Sequence, residues 1–121
     1  MERLYAVRGA TTIEEDSRTA VVEATQALLR ELIETNDITP ERIVSILFTG
    51  TDDIHSEFPA AAARLMGLTG IPLLCAREMD VTSSLATPMC IRLMMHVYSG
   101  ERPTPVYHGR AVHLLGAPDP I

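Results

Sequence analysis

Apolar and polar positions follow two periods along the chain, and each period marks an element. Leu4 to Val7 is a short apolar run ending at Arg8-Gly9. It predicts a strand and then a turn, because glycine adopts backbone angles that other residues avoid. Val21, Leu28, Leu29 and Leu32 share one face of a helical period, with Glu23, Arg30, Glu31 and Glu34 largely off it. A surface helix covering a sheet is therefore predicted up to about Thr35. Ser17 or Asp16 can cap it, and Glu14, Glu15 and Asp16 suit the positive end of a helix. Thr39-Pro40-Glu41-Arg42 predicts a turn or a single helical turn. Ile43 to Thr49 is β-branched, apolar and bounded by turn residues, which predicts a buried strand. Residues Gly50 to Glu57 are polar and loop-like. Pro59 to Met66 is alanine-rich, opens with proline and stops at Gly67, the asymmetry of a short helix.

The second half reads mostly as strands. Ile71 to Cys75 is a short strand, and Met79 to Pro88 fits no single pattern. Met89 to Tyr98 is the longest strand candidate. Strict alternation there puts Ile91, Leu93, Met95 and Val97 on one face, and Cys90, Arg92, Met94, His96 and Tyr98 on the other. Gly100 to Pro105 is a loop, Ala111 to Leu115 reads as the last strand, and Pro118-Asp119-Pro120 is a tail. The order β-α-β-α-β-β-β predicts an α+β fold with a mixed β-sheet and its helices on one face. The 121 residues make one domain, 1–121. A chain of this size has little else with which to cover the second sheet face, so association with copies of itself is expected.

Charge narrows the partners. The net charge is −6, which argues against nucleic acid as a ligand. No apolar run reaches the length of a membrane span, and the first residues carry Glu2, Arg3 and Arg8 in place of a leader's apolar core. A cytoplasmic location is expected. All ten basic residues are arginine, which removes Schiff-base, pyridoxal-phosphate and phosphate-loop lysines from consideration. It leaves planar, permanently charged groups suited to carboxylates and phosphates.

Three charged positions carry the chemistry. Arg92 lies in a strand that reads as largely buried, so its guanidinium needs a carboxylate, from the protein or from a ligand. Glu78, in Cys75-Ala76-Arg77-Glu78-Met79-Asp80, is one acid that could supply it. Arg8, beside a glycine at a strand end, has the placement of a ligand contact. Asp52, Asp53, His55 and Glu57 resemble metal ligands by type but match no metal-site spacing, and no metal is expected. Cys75 and Cys90 stand outside any CxxC pair and read as small hydrophobes. The inventory is arginines without a nucleophile, which describes an anion site and does not by itself name a reaction.

Five segments read in order resemble one family: Arg8-Gly9-Ala10-Thr11-Thr12, Phe58-Pro59-Ala60 with Arg64, Cys75 with Glu78-Met79-Asp80-Val81, Cys90-Ile91-Arg92 with Met94-Met95, and Val106-Tyr107. Together they are similar to the small monofunctional chorismate mutases of the trimeric pseudo-α/β-barrel class, as distinct from the all-helical class. The resemblance runs to about Leu115. It implies the rearrangement of chorismate to prephenate by a homotrimer without a cofactor, with pockets between adjacent subunits. It also implies roles. Arg8 grips a substrate carboxylate, and Arg92 reaches the ether oxygen of the breaking bond. Glu78 accepts from the ring hydroxyl with Cys75 nearby, and Tyr107 binds the side-chain carboxylate. Phe58 and Ala60 wall the pocket, Arg64 adds charge at its mouth, and Leu74 and Leu115 complete the substrate-binding set. The chain departs from the pattern at Ala61, where some members carry a basic residue, and at Ser83-Ser84, where glycines are usual. The stretch 86–89 is about two residues longer than the pattern, and no basic residue follows Leu115. Two rival readings use the same arginines: a non-catalytic trimeric binder of a small carboxylate metabolite, and an imine or enamine hydrolase on a similar trimer.

Overall fold

The computed structural model describes residues 1–82 and 86–114. Its elements in chain order are β1 (Arg3–Thr12), α1 (Arg18–Thr35), a 3-10 turn (Pro40–Arg42), β2 (Ile43–Gly50), α2 (Ala60–Leu65), β3 (Leu73–Arg77), β4 (Cys90–Ser99), β5 (Val106–Tyr107) and a 3-10 helix (Gly109–Leu114). The strands form one sheet in the order β3-β2-β4-β1-β5. β4 runs antiparallel to both of its neighbours, while β3 is parallel to β2 and β5 is parallel to β1. This is the mixed sheet that the pattern predicts.

The helical stripe behaves as its period requires. Val21, Leu28, Leu29 and Leu32 are fully buried. The Ser17 side chain caps α1 by accepting from the Ala20 N–H. The main core lies between the two helices and one sheet face. It joins Leu28, Leu29 and Leu32 to Ala60 and Ala63 of α2 and to Val7, Ile46, Phe48, Leu93, Met95 and Val97 of the sheet.

Two sequence expectations are corrected. The first strand does not end at Arg8-Gly9: β1 continues to Thr12, paired with β4 from Arg3↔Ser99 to Thr12↔Cys90. Gly9 serves closeness and not a turn, since a Cβ there would stand 3.0 Å from Leu32 Cδ1 and 3.2 Å from Leu28 Cδ1. The last strand is Val106–Tyr107, and Ala111 to Leu114 is 3-10 helix. Gly109, at φ +58°, turns the chain there, and a Cβ on it would fall 2.4 Å from Thr12 Oγ1. The following N–H groups then bond locally, Arg110 to Thr12 Oγ1 and Ala111 to the His108 carbonyl. β3 also starts two residues later than expected, because Pro72 has no N–H to give and offers only its carbonyl, to Ile46. Leu115, Ser83 and Ser84 lie outside the described residues.

Among the described residues, alternation in β4 leaves the second sheet face largely uncovered. Ile91, Leu93, Met95 and Val97 are buried against the helices. Arg92, Met94, His96 and Tyr98 face the other way, in register with Ala10, Arg8, Ala6 and Leu4 of β1. Leu47 of β2 stands opposite Met94, and Leu74 of β3 stands opposite Leu47. Leu4, Leu47, Leu74 and Tyr98 are 52%, 40%, 61% and 46% exposed, an apolar surface of the kind that marks an interface. Only one end of this face is closed, where Ala111 and Leu114 pack on Ala10, Cys90 and Tyr107.

Candidate active site

Beside that closed end, one row of the sheet gathers the charged candidates. Thr49 of β2 stands opposite Arg92 of β4, Arg92 opposite Ala10 of β1, and Ala10 opposite Tyr107 of β5. Arg8 lies two residues along β1 from Ala10, on the same face. Glu78 follows β3 directly, and its N–H donates to the Gly50 carbonyl at 2.9 Å, which extends the β2 ladder by one bond. Three strands and a strand end thus place Arg8, Arg92, Tyr107 and Glu78 on one face. A site carried on rigid strands holds its geometry better than one carried on loops.

The demand that Arg92 makes for a carboxylate is met inside the chain. Its Nε lies 3.7 Å from Glu78 Oε2, and the two side chains are only 15% and 12% exposed. The same oxygen accepts a 2.7 Å hydrogen bond from the Thr49 hydroxyl. Arg92 also bonds the Cys90 side chain. Nothing in the sequence singles out Thr49. The one available signal is that it takes the outward place in the alternation Ser45, Leu47, Thr49 while being polar.

A second group of candidates collects at the β3 edge, toward the helices. Ala60 and Arg64 belong to α2, Phe58 lies two residues before it, and Cys75 points from β3 toward them. The Ala60 N–H bonds the Cys75 sulfur, and Arg64 adds its positive field. Phe58 is 66% exposed and lines a groove of about 460 Å³ with Glu57, Pro59, Cys75 and Arg77. Leu74 alternates away from Cys75 and belongs to the open face. Ala61 is buried. Within one chain the row holding Arg92 and the groove beside Phe58 lie on different faces of the sheet.

The polar loop 50–57 braces both groups. The Arg77 guanidinium donates to the carbonyls of Thr51 and Ile54. The Thr51 hydroxyl accepts from the Cys90 N–H and donates to Asp53, whose other oxygen accepts from the Met89 N–H. These bonds hold Met89 at φ +52°, a strained angle for a side-chain-bearing residue, and so fix the entry to β4 two residues before Arg92. Asp16 accepts from the backbone N–H groups of His55 and Ser56 and from the Ser56 hydroxyl, and Glu57 pairs with Arg18. The side chains of Asp53 and Glu57 are thereby committed to structure, while His55 takes part through its backbone N–H.

Burial disfavours the thiolate form of both cysteines. Burial pushes Cys75 up, against the smaller opposing pull of the Ala60 N–H and Arg64. Burial pushes Cys90 up as well, against Arg92. A protonated thiol beside Phe58 offers a weak donor and a polarizable wall. Two guanidiniums, one carboxylate and one phenol on a partly dry surface are groups that can bind a small molecule with several carboxylate and hydroxyl groups.

Comparison with known proteins gives a consistent set of relatives. The family model described as chorismate mutase type I matches residues 4–116. A chorismate mutase AroH of Bacillus subtilis (strain 168) is 43% identical over 95 residues, which cover 78% of this chain and 73% of that protein. The chorismate mutase AroH of Thermus thermophilus is 45% identical over 89 residues, 73% of this chain and 71% of that one. The solved structure of a chorismate mutase from Clostridium thermocellum superposes with a TM-score of 0.84 at 41% identity, covering 89% of this chain and 98% of that one.

Proposed function

This chain belongs to the chorismate mutase type I family and is an isomerase of that kind, and on that premise we propose that Arg8, Glu78, Arg92 and Tyr107 run the reaction in a pocket that a neighbouring copy completes. The reaction is the [3,3] rearrangement of chorismate to prephenate, on the route to phenylalanine and tyrosine. One C–O bond breaks and one C–C bond forms within a single molecule. The chemistry therefore asks for no nucleophile, base or cofactor.

Two things accelerate such a step. One is holding the flexible enolpyruvyl arm over the ring, which converts a rare conformer into the bound one. Arg8 and Tyr107 hold the carboxylate of that arm, and Glu78 accepts from the ring hydroxyl. The other is a fixed cation at the ether oxygen, where negative charge grows as the bond breaks. Arg92 supplies it, and a guanidinium stays charged even in a dry site. A millionfold acceleration requires about 8 kcal/mol, within reach of orientation and one preorganised charge together.

The observation that carries this reading is the Thr49–Arg92–Ala10–Tyr107 row with Glu78 at its end. The neighbouring copy is inferred from two features. The apolar face beside that row stands open, and Phe58, Ala60, Arg64 and Cys75 sit on the other face, where they can wall only another copy's pocket. A closed ring of three copies satisfies both faces at once. No helix among the described residues is long and apolar enough to cross a membrane, and we place the enzyme in the cytoplasm. The test is the fall in chorismate ultraviolet absorbance with purified protein, with prephenate identified as the product. Binding without turnover would instead indicate a carboxylate-binding protein, and ammonia release from small imino acids would indicate a hydrolase.

A further inference from the structure

We infer that Thr49 is a positioning residue for the rearrangement: its hydroxyl fixes which oxygen of Glu78 meets the substrate and how near that carboxylate stands to Arg92. The inference rests on the roles proposed above for Glu78 and Arg92. Thr49 is the last residue but one of β2, flanked by β3 on one side and by β4 on the other. Its backbone cannot shift without breaking two ladders, and its branched side chain is stiff at χ1. The hydroxyl donates 2.7 Å to Glu78 Oε2, the same oxygen that faces Arg92 Nε at 3.7 Å.

Three consequences follow from that shared oxygen. Oε2 is taken, so Oε1 is the oxygen presented to the ring hydroxyl. The Glu78 rotamer is fixed before substrate arrives, so less freedom is lost on binding. The carboxylate is also held short of a close, two-bond grip on the guanidinium, the arrangement that acid–arginine pairs adopt when geometry allows. A closer pair would turn Arg92 inward and spend its charge on Glu78 instead of on the developing charge of the ether oxygen. Thr49 touches neither the substrate nor the reacting atoms. It acts through Glu78.

The experiment is a double-mutant cycle on the intact protein with chorismate as substrate, using Thr49→Val, Thr49→Ser, Glu78→Ala and the double variant Thr49→Val/Glu78→Ala. Valine keeps the shape and strand preference of threonine, and an unchanged melting curve shows that the fold is kept. Thr49→Val is expected to lower kcat about tenfold with a smaller change in KM. Thr49→Ser, which keeps the hydroxyl, is expected to stay within about threefold of the native enzyme. In the Glu78→Ala background, Thr49→Val should cost little more, because the oxygen that the Thr49 hydroxyl holds is already gone. Additive losses would overturn the inference, as would a serine variant as poor as the valine variant, or a valine variant with native kcat. If the native protein fails to convert chorismate, the functional reading fails first. If it turns over and Glu78→Ala is also active at the native rate, the role of Glu78 fails with the inference.

Discussion

The Arg92 side chain is 15% exposed and stands beside Glu78 on the sheet. A guanidinium at an alternating position of a buried strand must find a carboxylate, and the chain supplies Glu78 at 3.7 Å. Fourteen positions separate the two, so the need was legible in the sequence while the partner had to be chosen among nearby acids. Thr49 was not legible, because a threonine near the end of a strand is ordinary until the fold sets Glu78 against it. The pairing predicts unequal losses at Glu78. Glu78→Ala removes the carboxylate beside Arg92 and the acceptor for the ring hydroxyl, and a loss of about a hundredfold in kcat/KM is expected. Glu78→Gln keeps a neutral acceptor and is expected to lose about tenfold less. Steady-state kinetics on the two variants decide it: equal losses would remove the ring hydroxyl contact from the account.

Among the elements, β4 and α1 were readable because a single period governs each along its whole length. Ile91, Leu93, Met95 and Val97 are buried, as alternation requires, and the α1 stripe is buried as a unit. The misread elements are those whose boundaries depend on distant partners. Gly9 resembles a turn residue, yet its role is set by Leu28 and Leu32 of a helix that follows it. Residues 111–114 have strand composition, yet Gly109 and the Thr12 hydroxyl impose a helical turn. Asp16 was readable as a cap of α1, whereas Ser17 caps the helix and Asp16 ties down the segment before Phe58. The hydrogen bond from the Ser56 hydroxyl, with smaller help from the His55 and Ser56 backbone, holds the Asp16 carboxyl below its ordinary value of 3.8. A depressed acid stabilises the fold above its unfolded value and loses that contribution as pH falls through the folded one. Asp16→Ala should therefore melt below the native protein by a gap that stays constant above pH 3.8 and closes at lower pH. Thermal melts of both proteins across the acid range measure it, and a gap indifferent to pH would contradict the assignment.

At the scale of the whole molecule, the sequence conveys the fold class and an unfinished surface, and the structure shows where that surface lies. Mixed pairing of five strands leaves Leu4, Leu47, Leu74 and Tyr98 on a face that no helix among the described residues covers. Composition could signal that a face lacked cover, but it could not say that the reactive row lies beside it. If pockets form between copies, two inactive variants should repair each other. Arg92→Ala spoils the row, and Phe58→Asp spoils the wall contributed by the other copy. Mixed one to one with exchange of subunits, they should regain about a quarter of the native rate per site, the share of random pairs with both halves intact. Activity no greater than that of the separate variants would place each site within one chain. The central claim is that a fixed cation at the ether oxygen drives the rearrangement, and the most direct measurement is kcat/KM for chorismate in Arg92→Ala against the native protein, with melting curves to show that both are folded. A loss on the order of a thousandfold is predicted for removal of the one charge aimed at the transition state. A folded Arg92→Ala enzyme with near-native turnover would contradict the account.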